Sequence, residues 1–232
     1  DEISALYAPE GYLLARAFIP KQEIKDNTVE ITIFEGRINK VVVQGNKKLS
    51  KESFEKRMKT VQNQLALKEQ TLERVLLELN EMMGVEVTTV LKPGELPGTS
   101  DLVLEVTESR PYTVSFDSDN FGSRYTGPDR YGLSMTYANI FTLGDQFATR
   151  WTRSEFGQDS YTPFYTVPIN AYGTRMKLNY TFLENELGDS LKYLSAGGTV
   201  TTYGLELSQL LQKSRTSSFS VRTRLDVKHF EN

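Results

Sequence analysis

The residues equipped to do chemistry in this chain are few, and their spacing works against them. His229 is the only histidine among 232 residues and cysteine is absent. Thiol nucleophiles, Cys-bound metals and disulfides are therefore excluded, and one imidazole builds neither a histidine metal site nor a hydrolase triad where no nucleophile elbow is present. His229 falls near the end of the last alternating segment, where an exposed rim position is expected. Asp117-Ser118-Asp119-Asn120-Phe121-Gly122 opens like a calcium loop, with acids at its first and third positions and glycine at its sixth. Phe121 stands where a ligand oxygen is needed and Pro128 where the bidentate glutamate belongs, so an ordinary surface loop is the better reading. Asn179-Tyr180-Thr181 has the glycosylation spacing but lies inside a strand pattern. Glu184 and Glu186 read as solvated charges in a loop. No glycine-rich phosphate loop is present. The chain is expected to have no catalytic residues, no metal and no cofactor, and not to be an enzyme.

A net charge of −3 and a pI near 5.4 leave no basic footprint, so no nucleic-acid partner is expected, because neutralising phosphates takes clustered Lys and Arg. With 38% hydrophobic and 25% charged residues the chain is that of a folded protein. No run of 18 or more apolar residues occurs, and no helix is expected to cross a bilayer. The mean hydropathy of −0.41 does not bear on a β-barrel, whose strands alternate and average out polar. The first residues, Asp1-Glu2-Ile3, lack a basic and apolar leader, as in a mature or truncated chain.

The elements that must position any function divide into two halves. Up to about Glu108 helical and strand periods mix. Val29-Glu30-Ile31-Thr32-Ile33 alternates as a strand, and Val41-Val42-Val43 follows, ended by Gly45-Asn46. Ser50 is placed as an N-cap with Leu49 and Phe54 as a hydrophobic staple, and Phe54, Met58 and Val61 share one helical face. A second helix spans about Thr71 to Met83 on Leu72, Val75, Leu76 and Leu79, with Gly84 suited to its C′ position. Strands Val85 to Leu91 and Asp101 to Thr107 complete a strand–helix–helix–strand–strand unit, an α+β fold with two helices on one face of a small sheet.

After Arg110-Pro111 the helical period disappears. Tyr112, Val114 and Phe116 alternate with polar residues, as do Tyr131 to Tyr137, Met176 to Phe182 and Phe219 to Val227. Seven strands are expected near 112–119, 130–138, 146–156, 160–167, 173–182, 199–211 and 218–230. Long polar links, Asn120 to Asp129 and Glu184 to Gly198, alternate with short turns, as when the two sets lie on opposite sides of a membrane. Tyr112, Tyr137, Trp151, Tyr161 and Tyr180 lie near strand ends, as in interfacial girdles. On a barrel the polar stripe faces the lumen: Arg175, Lys177 and Asn179 on one strand, Arg222, Arg224, Asp226 and Lys228 on another. Seven strands do not close an ordinary bacterial barrel, which has an even number from eight upward, so further strands are expected.

Several short stretches also resemble a known family. Gly11-Tyr12, Ala17 to Gln22 and Ile33-Phe34-Glu35-Gly36-Arg37-Ile38 resemble the end of the first polypeptide-transport-associated (POTRA) domain of two-partner secretion transporters. Met83-Gly84-Val85, Leu91 to Gly94 and Pro97 to Leu102 resemble the second. Asn139 to Asp145 looks like the first periplasmic hairpin of the barrel, and Tyr165 to Pro168 with Tyr172-Gly173-Thr174 like the second. The resemblance implies POTRA domains over 1–38 and 39–109 and the first strands of an outer-membrane barrel over 110–232, about seven of sixteen. It implies a transporter in the bacterial outer membrane, with periplasmic N-terminal domains. An unfolded exoprotein would be caught in the periplasm and exported through the pore, with outer-membrane lipid as the other partner. By the same resemblance Val85, Glu86, Val87, Thr88, Thr89, Val90 and Leu91 form an edge strand for that exoprotein, with Val85 and Val87 packed on the helices and Glu86 and Thr88 outward.

Two other readings compete. A barrel-assembly factor of the same superfamily would share these elements, although the stretch from Pro93-Gly94 to Asp101-Leu102 favours export. A soluble β-rich periplasmic binding protein would present the polar stripe to solvent.

Overall fold

The computed structural model describes residues 2–24, 27–186 and 197–231. The chain forms two compact units, one from Asp1–Ser109 with Gln212–Ser218, the other from Arg110–Leu211 with Phe219–Asn232.

The first unit begins with a short helix, α1 (Glu2–Tyr7), and a two-stranded ladder, β1 (Arg16–Phe18) with β2 (Thr32–Phe34). The strand expected over Val29 to Ile33 is thus shorter and shifted, because its partner offers only three residues to pair, Arg16↔Phe34 through Phe18↔Thr32. The main sheet comprises β3 (Arg37–Gln44), β4 (Val85–Pro93) and β5 (Thr99–Glu108) in the order β3-β5-β4, with β3 parallel and β4 antiparallel to the central β5. Two helices intervene, α2 (Lys51–Gln62) and α3 (Glu69–Asn80).

Ser50 caps α2, its side chain accepting from the Ser53 N–H at 3.3 Å. The i, i+4, i+7 face of α2 then buries Phe54, Met58 and Val61 completely. Leu72, Val75 and Leu79 of α3 meet Val85, Val87, Leu102 and Leu104 of the sheet in the same core, each such side chain contributing about 1.5–3 kcal/mol. Helix α3 ends sooner than expected. The Glu81 N–H makes the last α-helical bond, to the Leu77 carbonyl, the Met82 N–H tightens back to the Leu79 carbonyl, and Gly84, at φ 80°, turns the chain into β4 instead of capping the helix.

The second unit is one antiparallel meander, β6 (Tyr112–Asp119), β7 (Arg130–Ala138), β8 (Gln146–Ser154), β9 (Asp159–Pro168), β10 (Thr174–Glu186), β11 (Gly197–Lys213) and β12 (Ser218–Glu231), each strand paired with the next in sequence. Directly opposed residues share a face. Tyr112, Tyr137, Phe147, Tyr165, Leu178 and Leu205 therefore form one continuous apolar row, and Leu133, Trp151, Tyr161 and Phe182 another. This face is left open: Phe116 is 70% and Leu225 66% exposed. Glu184 and Glu186, expected in a loop, belong to β10, opposite Thr199 and Gly197, because the β10–β11 ladder continues past the apolar alternation. The long link Glu184 to Gly198 otherwise lies outside the described residues over 187–196. The third connection, between Ser154 and Asp159, is a short turn, so loop length alone does not sort the two ends of the sheet.

Candidate functional site

Two regions bring polar groups into arrangements that can act on a partner. The first is the free side of β4. Val85 and Val87 bury their side chains among the helices at 6% and 4% exposure, whereas Glu86 and Thr88 face away. Backbone direction alternates with the same period of two. The Gly94 N–H donates to the Thr99 carbonyl, so even-numbered residues of β4 aim at β5 and odd-numbered ones at the open side. The open side is occupied at its start. The Val85 N–H donates to the Met82 carbonyl at 3.2 Å. At Val87 the Asn80 side chain accepts from the N–H at 2.8 Å and donates to the carbonyl at 2.9 Å. The same Asn80 amide nitrogen also reaches the Leu76 carbonyl at 3.0 Å, which holds the side chain at the end of α3. Among the described residues, the Thr89 and Leu91 N–H and C=O groups and the Pro93 carbonyl have no partner on that side. The stretch Val85 to Leu91 is thus an edge with two different halves. The role of Asn80 had no signal in the sequence, since an Asn late in a helix also suits an ordinary C-terminal position.

Glu108 closes the other end of β5. Burial pushes its carboxyl pKa up, but the Lys47, Leu49 and Lys48 N–H groups, at 2.8 to 3.2 Å, outweigh that and hold it below the ordinary glutamate value.

The second region is the polar face of the meander. Asp117 and Arg150 form a bidentate pair at 2.9 and 2.7 Å, which Ser134 joins at 2.8 Å. Asp119 pairs with Arg130 at 2.8 Å. Both acids of the calcium-like loop are therefore engaged by arginines and do not converge on a common point. The intervening strand makes room at Gly132, where a Cβ would meet both the Asp117 carboxylate and the Arg150 guanidinium. The same device recurs at Gly204, whose missing Cβ leaves space for Asn179 from β10 and Asp226 from β12. Asp226 also pairs with Arg224 at 2.9 Å. Lys177 lies over the Phe164 ring at 4.0 Å, and Arg175 donates to the Gly144 carbonyl at 2.9 Å. The structure therefore brings Asn179, Arg224 and Asp226 together, with Arg175 and Lys177 on the same face of β10. Arg222 and Lys228 share the polar period of β12 and are exposed.

The turn between β7 and β8 is built around a buried carboxylate that sequence reading missed. Asp145, fully buried, accepts from the Ile140, Phe141 and Thr142 N–H groups at 2.6 to 3.0 Å and from the Tyr165 hydroxyl at 2.7 Å. Asn139, at φ 56°, accepts from the Gly144 N–H. An Asx residue at each end of a Gly-containing turn was the available signal. His229 meets Tyr203 edge-on at 6.3 Å on the apolar face. Among the described residues no group of three His, Asp or Glu side chains is placed to hold a metal, and no helix is long and apolar enough to cross a membrane, which says nothing of crossing by strands.

Comparison with known proteins gives these regions a family. Residues 98–232 match the family described as haemolysin secretion/activation protein ShlB/FhaC/HecB, and residues 1–36 match the ShlB-type POTRA domain. The heme/hemopexin transporter protein HuxB of Haemophilus influenzae strain Rd is 28% identical over 99% of this chain and 40% of its own length. The outer membrane transporter CdiB-2 of Burkholderia pseudomallei is 25% identical over 96% of the chain and 39% of its own. The chain thus spans about two fifths of the length of the curated relatives it matches. Among solved structures, CdiB from Escherichia coli superposes with a TM-score of 0.74 at 20% identity, covering 98% of this chain and 44% of that one. BamA from Haemophilus ducreyi superposes at 0.59 and 18% identity, covering 100% and 44%. The fold is therefore a POTRA-like α/β region followed by a seven-stranded antiparallel sheet that matches part of these barrels. Two-partner secretion transporters are outer-membrane proteins with periplasmic POTRA domains, export partner exoproteins and are not enzymes. With more than half of its residues matched, the chain belongs to the haemolysin secretion/activation family ShlB/FhaC/HecB, the two-partner secretion transporters.

Proposed function

We propose that this chain is part of an outer-membrane pore that catches an unfolded exoprotein in the periplasm through its POTRA region and passes it outward through the barrel. The observation that carries this reading is the two-faced meander: an open apolar face suited to outer-membrane lipid, backed by a polar face of ion pairs suited to a wet lumen. The buried Asn179 Oδ1 has no partner among the described residues, and a hydrated lumen would satisfy it. A soluble binding protein would bury one of its faces. On this reading residues 1–38 end one POTRA domain, 39–109 make a second and 110–232 begin a barrel of sixteen strands. Capture takes place at the β4 edge, where backbone pairing reads an extended chain with little regard to sequence. No nucleic acid is involved.

The test is co-expression of the complete transporter with its exoprotein partner in a Gram-negative host lacking both. Partner in the medium, lost when the transporter is deleted while other outer-membrane proteins stay at normal levels, is the expected result. Partner export unaffected by the deletion, with other barrels depleted, would replace this reading by barrel assembly, the activity weighed against it because BamA shares the fold.

A further inference from the structure

We infer that the Asn80 side chain stands in for a strand at Val87 and confines an added polypeptide strand to the Thr89–Pro93 half of the β4 edge. This rests on the proposed capture of an extended chain at that edge.

A carboxamide carries the same donor and acceptor as a peptide group, and Asn80 presents both to a single residue, Val87, as an opposing strand residue would. Every other odd-numbered position of β4 then has a defined state. Val85 donates to the Met82 carbonyl. Thr89 and Leu91 each leave an N–H and a carbonyl open, and Pro93 leaves only a carbonyl because it has no N–H. An incoming strand therefore pairs with Thr89 and Leu91 and stops against Asn80. The side chains at the open half suit such an occupant. Val90 and Leu91 point to opposite faces and are 41% and 37% exposed, so apolar residues on both faces of the added strand find a neighbour, whereas the capped half presents Glu86. The stop also fixes register. Without it the strand could slide by two residues with no change of face, the slippage to which uncapped edges are prone.

The experiment is residue-resolved hydrogen exchange of the complete transporter in detergent, with and without a short capped peptide of alternating valine and threonine flanked by lysines. In the wild-type protein the Val87 amide is slow before peptide is added, and peptide slows Thr89 and Leu91 alone. In Asn80→Ala, Val87 exchanges about ten-fold faster or more without peptide. With peptide it becomes protected together with Thr89 and Leu91, and the peptide binds about five-fold tighter or more through the two hydrogen bonds gained. Asn80→Asp keeps the acceptor, so its Val87 amide stays slow. Protection of Thr89 and Leu91 that is the same in wild type and Asn80→Ala, with unchanged Val87 exchange and affinity, overturns the cap while leaving strand addition in place. No protection of Thr89 or Leu91 in either protein removes strand addition itself, and the inference with it.

Discussion

Arginine placed on either side of one strand should separate the two faces of the meander by energy. Leu178 is four residues past the start of β10 at Thr174. On the proposed barrel, at about 3.4 Å per residue and a tilt near 40°, that sets it about 10 Å deep in an apolar band about 25 Å tall, close to its middle. It is opposed by Tyr165 on one side and Leu205 on the other, and Phe147, Leu225 and Val227 complete an apolar surroundings without a counter-charge. Leu178→Arg should therefore cost about 2–4 kcal/mol. Asn179, one residue on, faces the opposite way, beside Asp226 and over the bare Cα of Gly204. An arginine there meets a carboxylate, so Asn179→Arg should cost no more than about 1 kcal/mol. The assay is reversible unfolding of the complete transporter in lipid vesicles, each variant against wild type. Equal costs, or a larger cost at Asn179, would refute the assignment of faces and with it the membrane-strand reading.

Other perturbations follow from the same geometry. Gly132→Val puts methyl groups into the Asp117–Arg150 pair and should destabilise the sheet by about 1–3 kcal/mol in the same unfolding assay. Asp145→Ala strips the acceptor from three N–H groups and a hydroxyl, and should cost about 3 kcal/mol or more and speed exchange of the Ile140, Phe141 and Thr142 amides. Glu108 has a folded pKa below its ordinary value near 4.5, so its contribution is full above that value and is lost as pH falls through the lowered one. Glu108→Gln should flatten that part of the stability–pH curve below about pH 5 and leave its slope near neutrality unchanged. His229→Ala should leave export of the partner at the wild-type level, since the imidazole lies edge-on to the Tyr203 ring and joins no metal-holding cluster among the described residues.

What could be read from the sequence was whatever repeats with a fixed period. The stripe Phe54, Met58, Val61 and the alternation along β6, β7 and β10 each encode one buried or apolar side, and a run of several residues makes such a pattern redundant. The Ser50 cap was legible because a cap is local, its partner being three residues away. Asn80 was not, because its function depends on Val87, across a turn, aiming both backbone groups at it. Asp145 was missed for a related reason. Its partners include Tyr165 from another strand, and nothing in a single turn marks a carboxylate as fully buried. Boundaries failed where a neighbour decided them. β2 is as short as β1 allows, and β10 runs on through Glu184 because β11 continues to pair with it.

Gly132 and Gly204 show how the polar face is specified without a period. Each sits on the middle strand of three, and in each case polar side chains from the two flanking strands meet over it: Asp117 and Arg150 in one, Asn179 and Asp226 in the other. A glycine inside a strand weakens it through backbone entropy and lost packing. At Gly132 that loss is offset by a contact that any side chain would forbid. The contact is a bidentate ion pair, shielded from bulk water on one side by the sheet itself. This pair ties together two strands that are not neighbours in the ladder, β6 and β8, adding stiffness across the sheet that main-chain hydrogen bonds supply only between adjacent strands. A strand glycine on the polar face of such a meander therefore signals where second-neighbour strands are fastened, and an acid and a base at the right offsets on either side identify what fastens them.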